Sequence, residues 1–341
     1  MIKNFQISII IAIFNRKDEL FELLSSLALQ TEKDFEVIVV DDGSFIALLP
    51  TIELFENQLN IKFFRKTNSG PGLSRNFGAH KVSTALDKEN WLVFVDSDVI
   101  VEKDYIENIK NNLVQNNCDA FGGADKANKG FNLMQKAISY AMTSLLTTGG
   151  IRGNKKSMSK FQPRSFNMGV KKSAFEAVGG FSEMRIGEDP DLSMSLWEAG
   201  FSTAFFDNIG VFHKRRTDFG KFSKQVYQFG VARPILNQRH PNFVKLSFAF
   251  PSVFLLGYAM GIVEYFWLGR PFLLSLYGLY TFLIFFHALY KTKNLSIASM
   301  AIIASFIQLF SYGYGFLKSW FVLNVLRQKP EKAFPSHFHQ R

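Results

Sequence analysis

Two short apolar runs each end in a pair of aspartates. Val37-Ile38-Val39-Val40 leads into Asp41-Asp42-Gly43-Ser44, and Trp91-Leu92-Val93-Phe94-Val95 leads into Asp96-Ser97-Asp98. A short β-branched run closed by Asp or Gly has the pattern of a strand buried on both faces of a parallel sheet. Ligands of open α/β sheets collect outside the carboxyl ends of such strands. Carboxylates gathered at one rim offer hard oxygen ligands to Mg²⁺ or Mn²⁺ and hydrogen-bond acceptors to the hydroxyls of a nucleotide. The pattern therefore predicts an α/β fold that handles a nucleotide diphosphate.

The neighbouring sequence keeps the same alternation. Ser8 to Phe14 is strand-like, and Leu20, Leu23, Leu24 and Leu27 follow the i, i+3, i+4, i+7 spacing of a helix lying on a sheet. A helix around Thr51 to Leu59, a strand at Ile61 to Phe64 and a helix starting near Gly72 are expected next, before the Trp91 strand. Strand–helix alternation implies a single, mostly parallel sheet flanked by helices, with right-handed crossovers. The run Ile7 to Phe14 has no small-residue cleavage site behind it, and Asn15-Arg16-Lys17-Asp18 follows at once, so a first strand is expected there and not a signal peptide.

Hydrophobicity rises sharply after Asn242. Phe248 to Leu268, Pro271 to Tyr290 and Leu295 to Leu317 each approach the roughly 20 residues that cross a bilayer core as a helix, and the last two carry no Asp, Glu, Lys or Arg. The formal net charge of the 341-residue chain is +10, with basic residues dense at Lys214-Arg215-Arg216 and from Lys221 to Arg239. Such charge just ahead of an apolar region points to an anionic membrane surface and not to nucleic acid. Lys291 and Lys293 in the loop after the second apolar stretch put that loop and residues 1–242 on the cytoplasmic side, with the first two helices as a hairpin. The single cysteine, Cys118, excludes an intramolecular disulfide and a cysteine-pair zinc site, which fits a reducing compartment. The predicted organisation is a catalytic domain over 1–215, a basic amphipathic interfacial segment over 216–242, two to three transmembrane helices over 243–326 and a polar tail over 327–341. The amphipathic stretch Phe131 to Leu146 is expected to cover the sheet.

Six segments, "SIIIAIFNR", "LLSSLALQTEKDFEVIVVDDGS", "NSGPGLSRNFGA", "WLVFVDSD", "SFNMGVKKSAFEAVGGFSE" and "GEDPDLSMSLWEAG", occur in an order that resembles family 2 glycosyltransferases over about residues 5 to 215. The resemblance implies a GT-A fold, a UDP-, GDP- or TDP-sugar donor and inversion at the anomeric carbon. Ala12 stands where that family usually has proline, and Phe14 where it usually has tyrosine. Processive relatives such as cellulose and hyaluronan synthases carry Gln-x-x-Arg-Trp after the Glu-Asp helix. Here Gln225-Val226-Tyr227-Gln228-Phe229 lacks the arginine and the tryptophan, which implies addition of one sugar.

Carried onto this chain, the resemblance implies that Asp42 contacts the donor base or ribose, with Phe14, Asn15 and Arg16 in the neighbouring loop. An Asp at a strand end also caps turn amides, a role that fits Asp41 and Ser44. Arg75, in the glycine-bearing segment Asn68 to Asn76, is implied to offset phosphate charge, although Gly70-Pro71-Gly72 reads equally as a turn and a helix start. Asp96 is implied to face ribose or metal and Asp98 to bind the metal, Mg²⁺ or Mn²⁺, that bridges the diphosphate; taken alone, Asp-Ser-Asp also reads as the cap of a helix over Val99 to Lys110. Asp189 matches the general base, on a helix opened by Glu188 and Pro190, with N-capping left to Asp191 or Glu188. Asn167 and Glu188 are implied to shape the acceptor side. His213 is either a further metal or diphosphate ligand or a structural histidine.

The combined expectation is a metal-dependent, inverting glycosyltransferase at the cytoplasmic face of an inner membrane, acting on a lipid-linked or glycan acceptor in cell-surface polysaccharide synthesis. A nucleotidyltransferase and a non-catalytic nucleotide-sugar-binding scaffold are the alternatives. A nicotinamide-dependent enzyme is disfavoured, since no Gly-x-Gly-x-x-Gly follows the first strand.

Overall fold

The computed structural model describes residues 4–127, 132–148, 161–213 and 218–339. The chain divides into two compact units. One holds Met1–Asn128, Lys155–Lys214 and Phe338–Arg341, and the other Lys129–Asn154 and Arg215–His337.

The first unit is built on one eight-stranded sheet: β1 (Phe5–Ile13), β2 (Glu36–Asp41), β3 (Asn60–Arg65), β4 (Glu89–Asp96), β5 (Val99–Val101), β6 (Ala120–Ala127), β7 (Asn167–Lys171) and β8 (Thr203–His213). Their spatial order is β3-β2-β1-β4-β7-β6-β8-β5. The pairs β1–β2, β2–β3, β1–β4 and β6–β8 are parallel, whereas β4–β7, β6–β7 and β5–β8 are antiparallel. From β1 the chain moves outward through β2 to β3 and then returns to the opposite side of β1 for β4. That reversal opens a crevice beyond the carboxyl ends of β1 and β4, the place where open α/β sheets bind ligands.

The apolar runs do what their composition requires. Val37 to Val40 and Trp91 to Val95 are buried on both faces. Ile7, Ile9, Ile11, Val37, Val39 and Val93 join one core layer, while Ile10, Ile38, Val40, Leu92 and Phe94 join the other. The predicted helical stripe Leu20, Leu23, Leu24 and Leu27 is buried along the helix Lys17–Ala28. Two local expectations are corrected. The helix after β2 covers only Leu49–Glu53, because the following residues close as turns. Val99 does not open a helix: Val99–Val101 pairs with Val211 to His213 as β5, and the helix starts at Tyr105. β-branched residues at the sheet edge favour the ladder over the helix.

The second unit carries the apolar helices. Leu246–Leu268, Phe272–Thr292 and Leu295–Val325 are each long and apolar enough to cross a membrane. Their outward side chains include Phe250, Val253, Met260, Phe266, Trp267, Leu279, Phe282 and Phe286. The basic helix Phe219–Arg239 lies in this unit and packs closely on the third apolar helix. A Cβ at Gly230 would lie 2.3 Å from the Tyr312 carbonyl oxygen, so small residues permit the backbones to approach. The helix Leu133–Thr143, expected to cover the sheet, belongs to this unit and packs on its helices. Its residues Ile138, Ala141 and Met142 pack with Phe222, Val226 and Ala304, and Tyr140 packs with Ile284, Ala288, Ala298 and Ala301. Amphipathic periodicity reports that a face is buried and not which element buries it.

Gly169, in β7, lies at a close approach inside the sheet. A Cβ there would lie 2.0 Å from Cζ of Phe121, whose ring is fully buried and stacked on Phe206 at 4.8 Å. Strand propensity alone favours Gly169→Ala by about 0.5–1 kcal/mol, but forcing a methyl into a packed core costs about 1–3 kcal/mol. Gly169→Ala is expected to lower the thermal unfolding midpoint; an unchanged or raised midpoint would refute this packing.

Candidate active site

The cleft is assembled from four strand ends. Beyond β1, Asn15 adopts a left-handed conformation (φ 55°) that asparagine tolerates. Its backbone N–H donates to Ser44 Oγ at 2.9 Å, and its Oδ1 accepts from the Phe45 N–H at 2.8 Å, which ties the β1 loop to the β2 loop. Phe14 is 41% exposed, edge-on to Phe45 at 6.0 Å, so an aromatic face is offered at the rim. Arg16 donates to Asp98 Oδ2 at 2.5 Å.

Beyond β2 the two aspartates divide the work. Asp41 Oδ1 accepts from the Ser44 N–H at 2.8 Å, the capping role expected of it. Asp42 is also buried, and its carboxylate is well supplied. Oδ1 accepts from Ser69 N–H at 2.8 Å and Lys66 Nζ at 2.7 Å, and Oδ2 accepts from Gly70 N–H at 2.7 Å. Asp42 thus moulds the loop after β3 into a wall of the cleft. Three of the roughly four acceptor sites of its carboxylate are thus taken by that loop.

The loop delivers the helix Pro71–Ala79, on which Arg75 is buried. Arg75 donates to Asp96 Oδ1 at 2.7 Å, stands 3.7 Å from Glu188 Oε1 and lies over the Phe181 ring at 5.4 Å. Its Nε and Nη1 are buried and have no hydrogen-bond partner among the described residues. Such orphan donors cost about 1–3 kcal/mol each unless a ligand meets them.

Glu188 and Asp189 begin the helix Glu188–Glu198. Its N-cap is Gly187 in a left-handed turn (φ 95°), which has no side chain to cap with, and Glu188, Asp189 and Asp191 all lie in the first turn, where the helix dipole favours negative charge. Asp189 is bonded by Ser165, yet its buried Oδ1 has no partner among the described residues. Burial first, and then the neighbouring Asp189, push the Glu188 carboxyl above its usual range, against the pull of Arg75. Burial likewise raises Asp189, opposed by Arg75 and the Ser165 hydrogen bond.

The remaining expected residues sit as follows. Asn167 is fully buried, accepts from Tyr105 Oη at 2.7 Å and donates to the Ile209 carbonyl at 2.7 Å, so its amide is committed to joining β7 and β8. His213 ends β8 with its backbone opposite Val99, next to Asp98 in sequence; its side chain lies outside the described part. Among the described residues no three His, Cys, Asp or Glu side chains converge on one point. The pair Asp96 and Asp98 is a hard-oxygen set that fits Mg²⁺ or Mn²⁺, provided phosphate and water supply the other ligands. What the sequence did not reveal is that Arg75 is the hub, and that His339, from the end of the chain, lies against Gly70.

The profile of the family described as Glycosyl transferase family 2 matches residues 8–179, half of the chain. The chain belongs to this family. Among curated relatives, an uncharacterized glycosyltransferase of Rickettsia conorii is 36% identical over 102 residues, which is 30% of this chain and 16% of that protein. The poly(ribitol-phosphate) beta-N-acetylglucosaminyltransferase TarS of Staphylococcus aureus is 38% identical over 104 residues, 29% of this chain and 17% of TarS. The chain thus matches about one sixth of the length of these relatives. In fold, this family 2 chain resembles the mannosyltransferase PcManGT from Pyrobaculum calidifontis, solved in complex with GDP-Man and Mn2+, with a TM-score of 0.61 over 89% of this chain and 86% of that one at 13% identity.

The raised carboxyls give this member of the family a pH signature. A folded state that binds protons more tightly than the unfolded chain is most favoured below the ordinary carboxylate pKa of about 4 and loses that advantage as pH rises through the folded values. Glu188→Gln removes part of this loss. The variant is expected to match the wild type in thermal midpoint near pH 4 and to exceed it at pH 9; a gap that narrows with rising pH would contradict the assignment.

Proposed function

We propose that the chain is an inverting, metal-dependent glycosyltransferase that moves a sugar from a nucleotide-diphosphate donor to a hydroxyl of a lipid-linked or membrane-associated acceptor. The observation that carries this reading is Asp189: a buried carboxylate, raised by its surroundings, with one oxygen left without a donor beside the Arg75–Asp96 pair. A general base needs such an oxygen, and a pKa raised above the ordinary carboxylate range makes it a stronger one.

In this reading Asp189 accepts the proton of the acceptor hydroxyl as that oxygen bonds to the anomeric carbon. The bond from that carbon to the diphosphate oxygen breaks, and its electron pair leaves with the nucleoside diphosphate. One displacement inverts the carbon; a retaining route would need a second, nucleophilic group. Arg75, through its unpartnered N–H groups, offsets the growing negative charge of the leaving diphosphate. Asp96 and Asp98 would hold Mg²⁺ or Mn²⁺, which supplies Lewis-acid neutralisation of the diphosphate. Phe14 offers a face for base stacking, and Asn15 and the Asp42-moulded loop frame the nucleoside. That PcManGT was solved with GDP-Man and Mn2+, and that TarS is named for transfer of N-acetylglucosamine, agrees with a nucleotide-sugar donor without choosing the sugar.

The rest of the chain supports a membrane-associated acceptor. Three helices able to span a bilayer and the basic helix Phe219–Arg239 suit an enzyme that meets its acceptor at the cytoplasmic face of an inner membrane, as in cell-surface polysaccharide synthesis.

The test is a panel of UDP-, GDP- and TDP-sugars with the full chain in membranes, with and without Mg²⁺ or Mn²⁺, scored for nucleoside diphosphate release. Asp189→Asn is expected to lower transfer at least a thousandfold while nucleotide affinity changes less than about threefold, since it removes a group used in the transition state and not in donor binding. Wild-type turnover in that variant removes Asp189 from the reaction, and release of pyrophosphate identifies a nucleotidyltransferase instead.

A further inference from the structure

The last described residues of the chain lie in the catalytic unit. Phe338 forms an antiparallel bridge with Met184, and the His339 N–H donates to the Glu183 carbonyl oxygen at 2.9 Å. These contacts lay the chain end beside the segment that leads into the Glu188 helix. A Cβ on Gly70 would lie 1.9 Å from His339 Cε1 and 2.4 Å from its Nδ1, and a Cβ on Gly72 would lie 3.8 Å from its Nε2. The ring therefore rests directly on the glycine loop.

This loop joins the two halves of the donor site. The Gly70 N–H is one of the donors that Asp42 accepts, and Gly72 belongs to the helix that carries Arg75. His339 Nε2 is buried and has no hydrogen-bond partner among the described residues. A buried polar atom left without a partner is costly unless something else satisfies it. Burial together with Arg185 and Lys66 favours the neutral imidazole, which can either donate or accept at Nε2.

We propose that His339 is a donor-site residue, its ring seating the Gly70 loop and its Nε2 hydrogen-bonding the nucleoside diphosphate portion of the donor. The inference rests on the nucleotide-sugar reading above and extends that site to the end of the chain.

His339→Phe keeps a flat ring against Gly70 and removes Nε2, His339→Gln restores a hydrogen-bonding group, and His339→Leu repeats the deletion if the phenylalanine does not fold. Each is compared with the wild type and Asp189→Asn, as the full chain in detergent, by calorimetric titration of UDP, GDP and TDP and by donor KM and kcat. The wild type and Asp189→Asn are expected to bind at least one of the three. His339→Phe, or His339→Leu in its place, should weaken that binding and raise donor KM about tenfold with kcat and the thermal midpoint little changed, and His339→Gln should recover most of the loss. Undiminished affinity in the folded Phe or Leu variant overturns the proposal while the nucleotide reading stands. A wild type that binds none of the three overturns both.

Discussion

Three carboxylates of the cleft, Asp96, Glu188 and Asp189, meet around one buried guanidinium. Arg75 contacts Asp96 from β4 and stands beside Glu188, and its charge is also felt at Asp189. Burial raises the carboxyls of Glu188 and Asp189, because removing an ion from water costs far more than one hydrogen bond returns. Arg75 opposes that rise at both residues. Its position depends in turn on Asp42, which fixes the preceding loop through two backbone amides and Lys66. The aspartate after β2 therefore acts on the reaction centre by way of backbone geometry, and removing it would displace the arginine.

How much of this was legible in the sequence depends on the range of the interaction. β1 to β4, the Leu20–Leu27 stripe and the Glu188 helix follow from local pattern, since burial on two faces and a 3.6-residue period leave traces in adjacent residues. The antiparallel half of the sheet was largely invisible. β5 has three residues and was open to a helical reading until its partner β8 was known. The destination of the helix Leu133–Thr143 depended on small residues, such as Ala298 and Ala301, that follow it by more than 150 positions. At the site, residue types marked the right positions but not their partners. Asp42 and Asn167 both fell where ligand contacts were expected, and both have their polar atoms committed to backbone or side chains of the fold. No local pattern announces that a histidine two residues from the end rests on Gly70.

The apolar helices show the same division between pattern and context. Their length and lack of charge identify them as bilayer-compatible without any knowledge of packing, and their many outward apolar side chains fit lipid better than water. The third differs from the other two because its small residues receive the helices Leu133–Thr143 and Phe219–Arg239. A span packed through alanine and glycine against neighbouring helices gives up lipid contact for close backbone approach.

The metal question turns on magnitudes. Asp96 and Asp98 are each held by an arginine, and an ion pair of that partly exposed kind, such as Arg16 with Asp98, is worth only about 0–1 kcal/mol. Exchanging such a partner for a divalent cation that arrives with its own diphosphate ligands is therefore inexpensive. Arg75 is a different case, because it is buried and its Nε and Nη1 have no hydrogen-bond partner among the described residues. In the proposed reaction Arg16 would be the one to yield its carboxylate, while Arg75 would stay and gain hydrogen bonds to the diphosphate. On that reading charge on the two aspartates would be balanced by arginine before the donor binds, and by the cation and Arg75 after.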